Sequence, residues 1–230
     1  MPELLHHPVS AASRFIRLVA GEIGFATEMV EEPYWQRRPE LLSINPAGQV
    51  PVLVADNGYA LCGATIIAEY LDEVHGVFKR DKRLLPGDPY ARAETRRLIA
   101  WFLDKMEHDV TAPLVRERII KPQMPSNRGG GSPDSKVLRI ARANIRQHMK
   151  YLSWLAASRP WLAGETLSYA DLAAAAGLSV LDYLGEIDWA EQPHAKDWYQ
   201  RLKSRPAFRP LLADRVRALA PVAHYADLDF

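Results

Sequence analysis

The chain has 230 residues, of which 48% are hydrophobic, so it is long and apolar enough to fold as one large or two small domains. A formal net charge of +1 excludes strong electrostatic attraction to nucleic acid, and a single cysteine, Cys62, excludes internal disulfides and cysteine-rich metal sites. The start at Met1 lacks the pattern of a signal peptide, and no apolar run approaches the ~20 residues of a membrane helix. We therefore expect a cytoplasmic protein that neither binds nucleic acid nor inserts into a membrane.

Strand and helix patterns alternate over the first 75 residues in the order β-α-β and then β-β-α. A helix between the first two strands predicts a parallel crossover, and Asp56-Asn57-Gly58 predicts a tight hairpin between the last two. This order is typical of a thioredoxin-like domain, which we assign to residues 1–75. The predicted strands are Glu3–His6, Thr27–Val30, Val52–Val54 and Tyr59–Leu61, and the predicted helices end before Gly24 and span Thr65–Val74.

The rest of the chain predicts an all-helical domain over residues 89–220, preceded by a linker at 76–88 and followed by a tail at 221–230. Asp88-Pro89 supplies a cap and a first-turn proline for a long helix that reaches Arg118, in which Pro113 predicts a kink or a loosening. Ser168 and Asp171 have the spacing of a capping box. The other predicted helices cover residues 136–157, 172–184, 195–204 and 207–220, and residues 121–134 predict a long loop.

Several of these segments resemble the glutathione transferase (GST) superfamily in their order and spacing. The segments that carry the resemblance are Ser13–Arg17, the proline-entered turn and strand Asn45–Leu53, Ile67-x-x-Tyr70-Leu71 and Trp161–Asp171. The resemblance implies the GST fold, in which an N-terminal thioredoxin-like α/β domain precedes a C-terminal helical bundle. It also implies a homodimer.

Within that superfamily the chain resembles the GST-like, FtsZ-binding cell-division proteins of the FzlA type. The resemblance lies in Leu4 with His6–Ser10, in Gly63-Ala64 and in the terminal Asp227–Phe230. It implies a non-catalytic regulator without a cofactor, which binds FtsZ polymers, alters their organisation or curvature and is recruited to the division site. Further division proteins are expected to bind through the C-terminal tail.

The alternative is a glutathione transferase in which Ser10 or Ser13 stabilises the glutathione thiolate. In the superfamily the turn before Pro51 holds the cysteinyl part of glutathione, and a cis Val50-Pro51 bond would turn the Val50 backbone towards that ligand. Both serines equally fit a structural role as caps of the first helix.

The expected anchor for the γ-glutamyl group of glutathione is altered in this chain. Where the family has an acidic residue and a serine, this sequence has Gly63 and Ala64. Losing two hydrogen bonds to a charged group, each ~1.5–3 kcal/mol, weakens binding by roughly two orders of magnitude or more. The N–H groups at the start of the helix remain, so we expect weakened rather than abolished binding and favour the non-enzymatic interpretation.

Three groups of residues are candidates for binding a protein partner. They are the basic helix face Lys136, Arg139, Arg142 and Arg146 with Arg116 and Arg118, the connector residues Trp35, Arg37 and Arg38, and the tail residues Asp227, Leu228, Asp229 and Phe230. Each group also fits a structural interpretation, as a solvated helix face, an exposed loop or a frayed end. We predict no metal site, because the seven histidines lack metal-ligand spacing, and we interpret Cys62 as a small core residue.

Overall fold

The computed structural model describes residues 1–76, 83–217 and 219–230. An N-terminal α/β domain precedes an all-helical domain, which confirms the predicted fold class. Part of the predicted linker and one residue of the last predicted helix lie outside the described residues.

The N-terminal domain is built on a four-stranded sheet with the order β2-β1-β3-β4. Strands β1 and β2 are parallel, as the crossover helix requires, and β3 is antiparallel to both of its neighbours. Leu4, at the centre of the sheet, lies opposite Met29 on one side and Leu53 on the other. The elements are β1 (Glu3–His6), α1 (Ala11–Ile23), β2 (Glu28–Glu31), α2 (Pro39–Ile44), β3 (Val52–Val54), β4 (Ala60–Cys62) and α3 (Ala64–Val74).

Helix α2 is a finding that the sequence patterns did not indicate. It has six residues, begins with Pro39 and buries only Leu41. So short a helix with one buried side chain shows no apolar repeat, and periodicity therefore cannot detect it. Its position matters because it leads directly into the turn before β3.

The long helix α4 covers residues 89–120, close to the predicted extent. Regular helix over Pro89–Ala100 and Ala112–Val115 alternates with wider π turns, which include Glu107–Thr111, separated from Pro113 by one residue. Proline cannot donate the helical hydrogen bond, and here the Asp109 carbonyl four residues earlier accepts from Asn144 Nδ2 at 3.1 Å instead. The loosening predicted at Pro113 is thus present.

The buried helix α6 (Tyr169–Leu184) forms the centre of the helical domain. The predicted capping box is present, since Asp171 Oδ2 accepts from Ser168 N at 3.0 Å and Ser168 Oγ accepts from Ala170 N at 3.2 Å. The helices of this domain after α4 are α5 (Ser135–Ser158), α6 (Tyr169–Leu184), α7 (Pro193–Lys203) and α8 (Arg209–Leu212). The two domains meet where the Phe15 ring packs against that of Tyr169, with centroids 5.9 Å apart.

The predicted helix over residues 207–220 is wrong, because regular helix ends at Leu212. The side chain of Asp214 binds Arg17 of α1 through two contacts of 2.7 and 2.9 Å. Val216 N then donates to the Tyr183 hydroxyl at 3.0 Å. Contacts with distant residues thus override a locally favourable helical sequence.

Candidate ligand cleft and partner-binding surfaces

A cleft of about 420 Å³ lies between the two domains, where α1 and α3 begin and the turn before β3 faces α4. Its polar wall comes from the N-terminal domain and its acidic wall from α4. The residues that line it include Ser10, Tyr34, Asn45, Gln49, Val50, Cys62, Gly63, Ala64, Thr65, Asp104 and Glu107. We refer to it below as the interdomain cleft.

The turn before β3 presents backbone to the interdomain cleft. The Val50-Pro51 bond is cis, and Val50 lines the cleft. Asn45 holds the turn, since its Nδ2 donates to the Gln49 carbonyl at 2.9 Å and its Oδ1 accepts from Ala47 N at 3.2 Å. Pro51 lies behind this wall, where its carbonyl accepts from Gly63 N at 3.1 Å. Of the two predicted ligand-binding residues in this turn, Val50 therefore faces the cleft and Pro51 supports it.

The structure separates the two serines that the sequence left as alternatives. Ser10 caps α1, accepting from Ser13 N at 3.2 Å, and also lines the cleft. Because a hydroxyl has one donor and two acceptor positions, this cap leaves the Ser10 hydrogen free to donate. Ser13 is fully buried and accepts from His7 N at 3.3 Å. Ser10 is thus the serine of the pair that is placed to meet a ligand.

Gly63 and Ala64 stand where α3 meets the cleft and supply no polar side chain. Gly63 has φ 99°, a left-handed conformation that any other residue would adopt only with strain. The first N–H groups of a helix have no partner within the helix, so the start of α3 still offers backbone donors. An anion at this end of the cleft would therefore meet backbone N–H groups and the hydroxyl of Thr65, which also lines the cleft.

Cys62 lines the cleft as a half-buried thiol. Its Sγ lies 3.7 Å from the Ile44 carbonyl oxygen, and burial raises the pKa of the thiol. A raised pKa keeps the thiol protonated at neutral pH, so Cys62 is not an activated nucleophile. Cys62 is only partly buried, against the small cluster of Leu5, Leu41 and Val52, so its interpretation from sequence as a core residue is wrong.

The opposite wall is acidic, which the sequence patterns did not indicate. Asp104 is exposed on α4, and Glu107 lies one turn further along the same helix. The Glu107 Oε2 atom is buried without a hydrogen bond among the described residues, and burial raises the pKa of this carboxyl to about 7. The i, i+3 spacing of the two acids was the available signal, but its meaning depends on which face of α4 meets the N-terminal domain.

A second groove of about 690 Å³ brings together two of the predicted partner-binding groups. Trp35 and Arg37 of the connector lie on one side of it and Arg116 of α4 on the other, with Pro113, Ile120, Met124 and Val137 contributing apolar surface. The edge of the Trp35 ring packs on His7, with centroids 4.8 Å apart. We call this the connector groove.

The two arginines of the connector have different roles. Arg37 adopts φ 50° and lies across Gly48, where an added Cβ would stand 2.9 Å from its Nη1. Arg38 forms an ion pair with the buried carboxylate of Glu32, including a contact from Nε of 3.2 Å. Arg37 is therefore available to a partner in the groove, whereas Arg38 holds the end of β2.

The predicted basic residues of α4 and α5 also fall into two groups, one held in ion pairs and one exposed. Arg142 binds Glu186 through two contacts of 2.8 and 3.0 Å, and Arg118 binds the same carboxylate at 2.6 Å. These two arginines therefore tie α4 and α5 to the end of α6. The exposed side chains of Lys136, Arg139 and Arg146 make no ion pair in the described part of the chain.

The C-terminal tail folds back on the helical domain. The Phe230 ring packs edge-on against the stacked rings of Trp189 and Tyr199, at centroid distances of 5.1 and 6.0 Å, and Lys203 Nζ stands 4.0 Å from its centre. Its neighbours Asp227, Leu228 and Asp229 are exposed. Of the four tail residues predicted to bind a partner, Phe230 therefore anchors the tail to the helical domain, and the other three face solvent.

Neither a membrane-spanning helix nor a metal centre is evident in the residues that the structure describes. None of their helices is both long and apolar enough to cross a membrane. No three histidine, cysteine, aspartate or glutamate side chains converge there as ligands for an ion.

A thioredoxin-like domain with a cis-proline turn, joined to a helical domain across a ligand-sized cleft, defines the class of GST-like proteins. Models of the glutathione S-transferase N-terminal and C-terminal domains match residues 4–80 and 102–206. The chain belongs to the glutathione S-transferase family.

Individual members of the family differ in how similar they are to this chain. It is 43% identical to FtsZ-localized protein A of Caulobacter vibrioides, over 98% of this chain and 97% of that protein. The structure of FzlA from C. crescentus superimposes with a TM-score of 0.91 at 42% identity, covering 100% of this chain and 99% of that one. A glutathione S-transferase structure from Sinorhizobium meliloti 1021 gives a TM-score of 0.98 at 68% identity, with both chains fully covered.

Proposed function

We propose that this protein is a non-catalytic regulator of cell division that binds FtsZ polymers and changes their organisation or curvature. The observation that carries the proposal is the 43% identity to FtsZ-localized protein A over nearly the whole of both chains. The interdomain cleft supports it, because Gly63 and Ala64 supply no side-chain anchor for glutathione. On this proposal the protein works in the cytoplasm, without a cofactor, and is recruited to the division site.

The connector groove is the surface that we propose for the polymer. Tryptophan and arginine dominate the energetics of many protein interfaces, and the groove combines Trp35 with Arg37 and Arg116 beside an apolar floor. The cationic side chains suit an acidic partner such as an FtsZ polymer. Arg118 and Arg142 do not belong to this proposal, since Glu186 already holds both.

We also propose that two copies associate through the faces of α3, α4 and α5 that carry large exposed apolar side chains. Ile66 is 53% exposed, Tyr90 87% and Trp154 58%. Arg96 binds Glu69 of α3, and the neighbouring Arg97 binds the Tyr151 hydroxyl of α5 at 2.7 Å, so these faces adjoin one another. A dimer would engage two polymer sites at once and gain avidity without any new contact.

Co-sedimentation tests the partner. We expect saturable pelleting with FtsZ assembled by GTP, little pelleting with unassembled FtsZ, and none for an unrelated dimeric glutathione transferase added at the same concentration. Pelleting no greater than that of the unrelated transferase would contradict the proposal.

Sedimentation equilibrium tests the proposed dimer. The same preparation should give twice the mass of one chain, and a monomer mass would contradict the dimer.

The tail supplies a separate prediction about further division partners. Asp227→Asn, Leu228→Ser and Asp229→Asn together should impair division in cells depleted of the endogenous protein, while changing the free energy of unfolding by less than about 0.5 kcal/mol, because all three side chains are exposed. Phe230→Ala is the structural comparison and should destabilise the fold by about 1–3 kcal/mol, less than a fully buried phenylalanine. Normal division with the triple variant would rule out the tail as an interaction element.

A glutathione transferase activity that depends on Ser10 is the second candidate. It is favoured by the place of the Ser10 hydroxyl in the interdomain cleft and by the 68% identity to the S. meliloti glutathione S-transferase. Conjugation of glutathione to an electrophile separates the two functions. Turnover by the wild type that Ser10→Ala abolishes would favour the enzyme, and turnover at the uncatalysed rate would favour the regulator.

A further inference from the structure

The interdomain cleft has the wrong charge for an anionic ligand. Its charged side chains are Asp104 and Glu107, and no lysine or arginine is found among the described residues that line it. The positive contribution comes from the N-terminus of α3, equivalent to roughly half an elementary charge. Glutathione, with two carboxylates and one ammonium group, carries net negative charge and is therefore poorly matched to the α4 side of the cleft.

The Glu107 carboxylate lacks a partner that the fold could have provided. Its Oε2 atom is buried without a hydrogen bond in the described part of the chain. An unpaired buried carboxylate is costly, and proteins pair such groups or raise their pKa. Tyr34 lines the same cleft, and burial together with the nearby Glu107 charge raises the pKa of its phenol. Burial therefore disfavours the charged form of Glu107, and a cation bound beside it in the cleft would stabilise that form.

We propose that the interdomain cleft binds an organic cation, with the ammonium group of an amine ligand paired to Glu107 and a second amine attracted to Asp104. An ammonium group supplies three donors and a full positive charge. It pairs with the Glu107 carboxylate where this side chain lines the cleft, while the Oε2 atom itself stays shielded from solvent. The cleft of about 420 Å³ has room for an extended, flexible amine. This ligand class differs from the one that the family fold would suggest, and the proposal does not depend on FtsZ binding.

The amine could belong to a free polyamine or to a lysine side chain of another protein. Spermidine is the probe for the first source and Nα-acetyl-lysine methylamide for the second, each titrated calorimetrically into the wild type, with glutathione as the anionic comparison. Saturable binding of either amine supports the site and identifies the source. Failure of both amines to bind at millimolar concentration would overturn the proposal.

Glu107→Gln tests the assigned residue, since it keeps the shape of the side chain and removes its charge. We expect it to weaken amine binding at least about tenfold, as loss of a charged hydrogen bond predicts. Glu165→Gln is the matched control, because Glu165 is exposed and lies outside the cleft. Equal affinities for the Glu107 variant and the wild type would overturn the assignment, as would equal losses in both variants.

Proton release provides a second readout that a merely structural role would not produce. Because Glu107 has a pKa of about 7, an amine that binds its charged form should release protons near pH 7, and the affinity should rise between pH 6 and pH 8. The other titratable groups lining the cleft are Tyr34, Cys62 and Asp104, of which the first two have raised pKa values and stay neutral in this range. Glu107→Gln should abolish the release, and release that persists in this variant would contradict the assignment.

Discussion

Replacing Arg14 by methionine is expected to lower the free energy of unfolding by about 3–5 kcal/mol, the range seen when one member of a buried charged network is removed. Arg14 is fully buried in α1. Its Nη1 atom donates to Ser179 Oγ at 2.8 Å and to the Tyr225 hydroxyl at 3.0 Å, so one guanidinium joins the N-terminal domain to α6 and to the start of the tail. Methionine keeps much of the volume but leaves these acceptors, and the Pro8 carbonyl, without their donor.

Chemical denaturation measures this change directly. Arg209→Met is the matched control, since Arg209 is exposed, and it should alter stability by less than about 0.5 kcal/mol. A loss below about 1 kcal/mol for Arg14→Met would show that hydrophobic replacement offsets the broken network, as happens for some buried ion pairs.

Reversing charge in the connector groove should have the largest effect on function. We expect Arg37→Glu with Arg116→Glu to weaken binding to assembled FtsZ at least about tenfold, or ~1.4 kcal/mol, because attraction to an acidic polymer becomes repulsion. Both side chains line the groove, and neither makes an ion pair with another described residue. The affinity of the wild type should also fall as salt rises, and that of the variant should respond less.

The control for this experiment must change net charge equally. Arg209→Glu with Arg217→Glu does so at two exposed positions outside the groove. Co-sedimentation curves for the two double variants would then differ only through the position of the charge. Equal weakening by both would point to a general electrostatic effect and contradict the groove as the docking surface, whereas Trp35→Ala should reproduce the loss without a change in charge.

Features that depend on neighbouring residues were largely predictable. Asp88 caps α4, accepting from Ala91 N at 2.8 Å, Ser168 and Asp171 form the capping box, and Gly24 ends α1 in the left-handed conformation. Each of these needs only a few consecutive side chains and their own backbone. The hairpin at Asn57-Gly58 is of the same kind, with Gly58 at φ 79°.

Features that depend on distant residues could not be predicted in this way. The last predicted helix fails because Asp214 and Val216 are held by Arg17 and Tyr183, which lie far away in the chain. Arg118 and Arg142 appear as free cations in the sequence, yet both are fixed by Glu186. Periodicity reports which face of a helix is apolar, but it does not report which charged partner reaches that face.

The same distinction applies to the candidate sites. The sequence by itself determined the GST fold and the turn before β3, because runs of consecutive residues carry the resemblance to the superfamily. The same resemblance implies that Gly63 and Ala64 replace a side-chain anchor. Only the tertiary structure placed Glu107 in the interdomain cleft and brought Trp35 and Arg37 beside Arg116. Both arrangements arise where α4 packs against the N-terminal domain, and the charge and shape of such a surface depend on side chains that are distant in sequence and close only after folding.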